Sequence, residues 1–377
     1  MKCPVFFSDL KVESGKTLLD KLDILLDQAG LKGKISEKDL VAIKLHFGEK
    51  GNTAFVRPIF LRRVVDRVKQ YKGKPFLTDT NTLYTGARSE AVSHLNTAME
   101  NGFTELVVHA PILIADGLKG NSAVKVRIDK PMFKTVSIAH GIDTADVLIS
   151  VTHFTGHELS GFGGTLKNLG MGCASREGKL SQHSNISPQV KKKACKGCER
   201  CLLSCAQEAI SMRPLPPGVE VKHSIAFIDP KKCVGCGECL LTCSYGAIKI
   251  QWNETVPIFQ KKMAEYAYGA VQKKKGKALY LNFLIQVTPA CDCCGYSDTP
   301  IVNDIGILSS EDPVAIDQAS VDLVNREEGN RSSKLPKNWE PEADKFRAIY
   351  PEVDWSIQLA HGEEIGLGTR EYELIKI

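Results

Sequence analysis

Two stretches of the chain repeat one cysteine spacing, and no other feature restricts the fold as sharply. Cys195, Cys198, Cys201 and Cys205 follow C-x2-C-x2-C-x3-C, and Cys233, Cys236, Cys239 and Cys243 follow it again. The chain holds 13 cysteines in all, strongly clustered, which argues for metal ligation over a disulfide framework. Structural zinc sites pair short C-x2-C elements and have no use for a fourth cysteine at x3, so zinc is a poor match.

The spacing is that of bacterial two-cluster ferredoxins, where the last thiolate of each run serves the other cluster. By that rule Cys195, Cys198, Cys201 and Cys243 hold one [4Fe-4S] cluster, and Cys233, Cys236, Cys239 and Cys205 hold the second. Gly197, Gly235 and Gly237 let the backbone wrap closely and aim amide donors at cluster sulfur. Ala206 and Ser244 stand where a proline usually follows the fourth cysteine, a difference that bears on the local turn. Two such clusters form a one-electron relay, so the chain is expected to handle electrons.

The chain as a whole is long enough to bury a large core, since it has 377 residues of which 43% are apolar. No apolar run reaches the ~18 residues of a membrane span. The N-terminal MKCPVFFSDLKVESGK places a charge and a proline beside a very short apolar patch, so a cytoplasmic, unprocessed protein is expected. A net charge of +5 sits in short lysine clusters such as Lys191 to Lys193 and Lys273 to Lys275. No long basic face interleaved with aromatics is present, which argues against nucleic-acid binding. Solvated lysines are the plain reading, and attraction of an acidic redox partner is the alternative.

Outside the cysteine runs, helical and strand patterns alternate. Leucines at helical spacing fill 17–30, 41–47 reads as a buried strand, and a helix follows Pro58. Further strands are expected at 74–80, 106–114, 145–151, 278–287, 302–308 and 372–377, with helices at 89–102, near 257–273, and opening at Asp312-Pro313. The pattern predicts an α/β fold, a largely parallel sheet with flanking helices, plus an inserted α+β bacterial ferredoxin-like domain. Residues 1–187 and 253–377 make the discontinuous body, and 188–252 make the module.

Candidate chemistry gathers at predicted strand ends, where α/β proteins bind ligands. THFTGHELSGFGGTLKNLGMGC (152–173) supplies His153, His157, Glu158 and Lys167, and His46 follows another strand. The amides at the helix start near Gly163 and Gly164 would suit an anion or cofactor, although no named phosphate loop matches. Asp79 is a candidate ligand or general base, with turn formation as its plain reading. Cys291, Cys293 and Cys294 lie within four residues, and with Cys173 they would supply a third metal or cluster site. A redox-active thiol pair and inert cysteines are the alternatives.

KLHFGEKGNTAFVRP (44–58), TDTNTLYTG (78–86), GFGGTLKNLGMGC (161–173), CDCC (291–294) and DIGILSSEDPVAIDQASVDLV (304–324), with the cysteine runs, resemble the iron-sulfur protein family known as domain of unknown function 362. The resemblance spans nearly the whole chain and implies an α/β body with two [4Fe-4S] clusters. HELSGFGGTLKNLGMG is also similar to a segment of the nickel-pincer lactate racemase family. That likeness implies a metal-ligand or acid/base role for His157 and cofactor attachment at Lys167, although Thr165 and Leu166 separate Gly164 from the lysine.

The expected function is therefore an oxidoreductase in which two clusters relay electrons to a site near His46, Asp79, His153, His157 and Lys167. The electrons would come from a redox partner protein or a small-molecule donor, and the substrate is unknown. A non-redox metal-cofactor enzyme or metal-handling protein with structural clusters is the first alternative, and an electron carrier alone the second. A homo-oligomer is compatible with the sequence, which does not fix the assembly.

Overall fold

The computed structural model describes residues 2–184, 187–214, 223–251 and 253–377. Its organising element is an eight-stranded sheet. In chain order the strands are β1 (Cys3–Asp9), β2 (Leu40–Lys44), β3 (Lys74–Asp79), β4 (Ile112–Ile114), β5 (Val147–His153), β6 (Ala278–Leu284), β7 (Gly306–Ser310) and β8 (Tyr372–Lys376). Across the sheet they run β8-β1-β7-β6-β5-β2-β3-β4. Only β7 runs against its neighbours, pairing antiparallel with β1 and β6. The other pairs are parallel.

Both faces of the sheet are covered, which is why its strands read as continuous apolar runs. In β2, Val41 and Ile43 join one core while Ala42 joins the other. In β5, Val147, Ile149 and Val151 face the first and Leu148 the second. The first core is closed by helices Leu18–Gln28 and Pro58–Gln70, through Leu22, Leu25, Leu26, Leu61, Val64 and Val68. Thr17 and Asp20 cap the former in a capping box, and Pro58 opens the latter in its first turn. Helices Thr165–Gly170, Val256–Val271 and Pro313–Arg326 cover the opposite face. As expected, Asp312 caps the last of these, accepting from the amides of Val314 and Ala315.

The 106–114 stretch is not one strand. It makes a helical turn, Glu105–Val108, and then the short β4. The His109 amide closes the turn on Glu105 O, and His109 takes a left-handed φ of 58°, which ends the helical turn before β4 pairs with β3. The strand expected at 302–308 pairs later, from Gly306 to Ser310. β1 has no counterpart among the strands expected from the sequence. The register with β7 begins only at Phe6, so Pro4 lies outside that pairing.

The cysteine runs fold into a β-α-β-β-α-β unit. Strands Gln189–Val190 and Ile248–Lys249 pair antiparallel, as do Ile210–Arg213 and Ile225–Ile228, with helices Arg200–Leu203 and Glu238–Thr242 between them. Trp252, the last residue assigned to the module, lies outside the described residues. No helix among the described residues is long and apolar enough to cross a membrane.

Candidate functional site

Neighbouring strands β6, β5, β2 and β3 are mutually parallel, so their carboxyl ends align at one edge of the sheet. The segments leaving those ends enclose a cavity of about 530 Å³. β2 delivers Lys44 and His46, β3 delivers Asp79, and β5 delivers His153. The hairpin Thr155–His157 and Gly161–Gly163 brings His157, and the helix after it brings Lys167. Cys291 and Cys293 arrive on the loop following β6. His46, Asp79, His153, His157, Gly163, Gly164, Lys167, Cys291 and Cys293 thus share one wall system, as does Glu158.

The buried charges on the floor are mostly paired. Lys44, 1% exposed, places Nζ 2.9 Å from Asp79 Oδ1 and donates to Asn168 Oδ1 at 2.6 Å and Leu45 O at 2.7 Å. Arg88 meets Glu49 at 3.1 Å and Asp79 at 3.5 Å. Burial opposes the Asp79 carboxylate, but Lys44 and the groups around it hold its pKa well below the usual range. Asp79 is therefore a fixed anion anchoring two cations, and a general-base role does not suit it.

The three histidines differ in their hydrogen bonds. His153 Nδ1 lies 2.8 Å from Asp292 Oδ1, and its Nε2 lies 2.9 Å and 3.0 Å from the carbonyls of Ile285 and Gln286. Both ring nitrogens donate, so the ring is an imidazolium that ties the CDCC loop to β5. Burial opposes that charge, but Asp292 outweighs it and raises the pKa. Nδ1 of His46 instead accepts from the Gly48 amide at 3.0 Å. Nδ1 of His157 accepts from the amides of Leu159 and Ser160 at 3.3 Å and 3.2 Å. Burial holds both rings well below the ordinary histidine value, aided by Arg88 at His46 and by Lys167 and His183 at His157.

Lys167 Nζ lies 2.8 Å from Cys291 Sγ. Burial would discharge the ammonium, but Cys291 and Cys293 hold its pKa above the lysine value. The bond with Cys293, and then burial, push Cys291 well above the ordinary thiol value. Cys294 is pulled down to about 7 by its bond from Cys293.

Cys173 does not join these thiols, which corrects the four-cysteine grouping. It is buried in the apolar core with its sulfur 3.9 Å from Asn168 O, because the turn after Lys167 points it away from the cavity wall. Among the described residues no group of three or more His, Cys, Asp or Glu side chains is placed to hold a metal ion.

A second correction concerns the helix start at Gly164. The amides of Thr165 and Leu166 are already taken by Asp317, at 2.7 Å and 2.8 Å, so they are not free for an anion. Gly164 is a glycine because a Cβ there would lie 2.3 Å from Asp317 Oδ1. Gly163 packs against the Lys167 stem, where a Cβ would meet Cδ at 3.2 Å. Both glycines serve close packing at the cavity edge.

In the cysteine module, Cys195, Cys198, Cys201 and Cys243 line one small cavity. Cys239 has Cys236, Cys233 and Cys205 among its electrostatic neighbours. Helix Arg176–His183 joins this module to the body. One of its faces carries Arg176 against Gly237 and Leu180 against Gly235. The same stripe carries Lys179 and His183 into the cavity wall, since 176, 179, 180 and 183 fall at i, i+3, i+4 and i+7. Arg176 is 0% exposed, its Nη2 donates to Ser89 O, and its Nε and Nη1 have no hydrogen-bond partner among the described residues. Cys236 and Glu238 are among the groups acting on its charge.

Sequence reasoning missed Lys44, Arg88, Lys179, Asp317 and Arg176. A lysine inside the apolar run VAIKLHF and an aspartate inside PVAIDQA were legible signals, since unpaired charges are rarely buried. Arg88, Lys179 and Arg176 carried none.

Fold and site together define an α/β protein whose sheet-end cavity is joined by one helix to a cysteine-rich β-α-β-β-α-β module. More particularly, the family model described as Domain of unknown function (DUF362) matches residues 41–322, and the chain belongs to that family. No curated protein matches its sequence. Among solved structures, the lactate racemase apoprotein from Thermoanaerobacterium thermosaccharolyticum is similar at 14% identity and a TM-score of 0.38, over 76% of this chain and 51% of that one. A structural-genomics protein from Thermotoga maritima is similar at 10% identity and a TM-score of 0.34, over 71% and 49%. The matches span about half of each of those proteins, and nothing about activity follows from such remote likenesses.

Proposed function

We propose that the protein is an iron-sulfur oxidoreductase in which residues 188–252 form an inserted two-cluster domain serving the cavity of the α/β body. The supporting observation is helix Arg176–His183, which touches the cysteine module through Arg176 and Leu180 and lines the cavity through Lys179 and His183. The donor set fits two [4Fe-4S] clusters: Cys195, Cys198, Cys201 and Cys243 would hold one, and Cys233, Cys236, Cys239 and Cys205 the other. The unpartnered Nε and Nη1 of Arg176 fit as well, since a buried guanidinium lacking acceptors suits a neighbouring anionic sulfide cage. When bound, the clusters supply storage for one electron each.

On this reading two electrons come singly from a reduced partner protein or small-molecule donor. They pass beside Arg176 and Leu180 to an acceptor in the cavity, whose two-electron reduction is completed by two protons from water. Lys44, Asp79 and Arg88 keep the floor rigid, and the His153–Asp292 bond holds the CDCC loop against the cavity wall.

The test starts from protein purified without oxygen and analysed for iron and sulfide. About eight irons per chain are expected. The pre-reduced protein is then mixed with candidate acceptors while cluster reoxidation is followed optically. Acceptors that enter the cavity should speed reoxidation in the natural protein and not in Lys167→Ala. Equal rates in both would remove the cavity from the electron path, and a chain without iron would end the proposal.

A further inference from the structure

We propose that the cavity recognises an oxyanion, a carboxylate or phosphate group on a small and partly apolar molecule, held between His46 Nε2, His157 Nε2 and Lys167 Nζ. This rests on the reading of the cavity as the working site and names its substrate class.

The argument begins with proton positions. A backbone amide can only donate, so a ring nitrogen facing one must carry a lone pair. Nδ1 faces the Gly48 amide in His46, and in His157 it faces the Leu159 and Ser160 amides and lies 2.8 Å from Ser160 Oγ, a hydroxyl able to donate to it. In each neutral ring the single proton therefore sits on Nε2. Both histidines line the cavity, and with Nδ1 engaged by backbone, Nε2–H is the donor left to a bound molecule.

That tautomer discriminates between ligand classes. A histidine that binds a metal through Nε2 must free the lone pair there, and it ordinarily donates Nδ1–H to a carboxylate or carbonyl. Here Nδ1–H would be driven against backbone N–H groups. The arrangement suits an acceptor-rich ligand and opposes a metal ion on these rings.

Charge bookkeeping points the same way. Lys44 and Arg88 are neutralised by Asp79 and Glu49, and His153 by Asp292. Among the described residues Lys167 and Lys179 form no carboxylate pair, and the remaining acidic side chain of the wall, Glu158, is exposed. Lys167 lines the same cavity as His46 and His157. Leu83, Leu159, Met171 and Phe259 supply apolar wall for the rest of the molecule.

Binding of benzoate and of inorganic phosphate to the iron-loaded protein, followed by calorimetry, tests the proposal and separates the two sources of oxyanion. His46→Leu and His157→Leu should each weaken the preferred probe by about tenfold or more, and Lys167→Met should weaken it further. His46→Gln and His157→Gln keep an N–H donor at a similar reach and should bind within a few-fold of the natural protein. Circular dichroism checks that each variant is folded.

Binding unchanged in the leucine and methionine variants would overturn the proposal. So would nickel or zinc bound stoichiometrically by the natural protein and lost in both glutamine variants. Anion binding needs no electron, so absent clusters would defeat the redox reading and leave this result standing.

Discussion

The Lys167 ammonium lies 2.8 Å from the Cys291 sulfur, although the two residues are 124 positions apart. The contact ties the helix after the glycine-rich hairpin to the CDCC loop, whose thiols differ in reactivity. Cys291 is buried and held well above the ordinary thiol value, while Cys294 is half-buried and pulled down to about 7. Because the thiolate is the nucleophile, Cys294 is expected to alkylate first, at a rate rising through about pH 7. Pulse labelling with iodoacetamide and peptide mass mapping checks this. Equal labelling of Cys291 at neutral pH would contradict the geometry.

His153 should make stability depend on pH in a defined direction. Its folded pKa is raised above 6.5 because the Asp292 carboxylate outweighs burial. Its contribution is therefore complete below 6.5 and lost as pH climbs through the raised folded value. The stability gap between the natural protein and His153→Gln should be widest near about pH 6 and shrink toward about pH 9. Urea unfolding at both pH values measures it, and a gap that widens with pH would refute the assignment.

Lys44→Met removes a buried ammonium from Asp79, Leu45 O and Asn168. Breaking a buried ion pair by deleting one partner costs about 3–5 kcal/mol. Arg88 still reaches Asp79, so the lower end is expected, read as a shift in the denaturation midpoint. A loss under about 1 kcal/mol would place the pair in the weak class of surface bridges.

Arg176→Met keeps the packing against Gly237 and removes the buried guanidinium. A nearby cation favours the more negative, reduced state of a cluster. The variant should lower one of two reduction potentials in a redox titration followed by electron paramagnetic resonance, with iron content unchanged. If both potentials stay where they were, Arg176 does not neighbour a cluster as argued.

Much of the body was legible because apolar strands and helices leave period signatures that need no tertiary context. VAIKLHF and ALYLNFLIQV are buried on both faces, and the alternation of such runs with amphipathic helices implies a largely parallel sheet. The duplicated cysteine spacing was equally local, as was the clustering of His153, His157 and Lys167 in one stretch. These are properties of neighbours along the chain, so sequence alone determined them.

Tertiary structure decided the rest. The order β6-β5-β2-β3 brings His46, Asp79, His157 and Cys291 to one cavity. Asp317 comes from a helix that no local rule links to Gly164, yet it occupies the amides that seemed free for an anion. Cys173 turned into the core rather than toward Cys291 because the direction of one helical turn, not proximity in a motif, aims the side chain. Nδ1 of His46 and of His157 is engaged because particular backbone amides face it. Hydrogen-bond direction and burial are set by what packs across space, and those contacts arise only once the sheet has assembled.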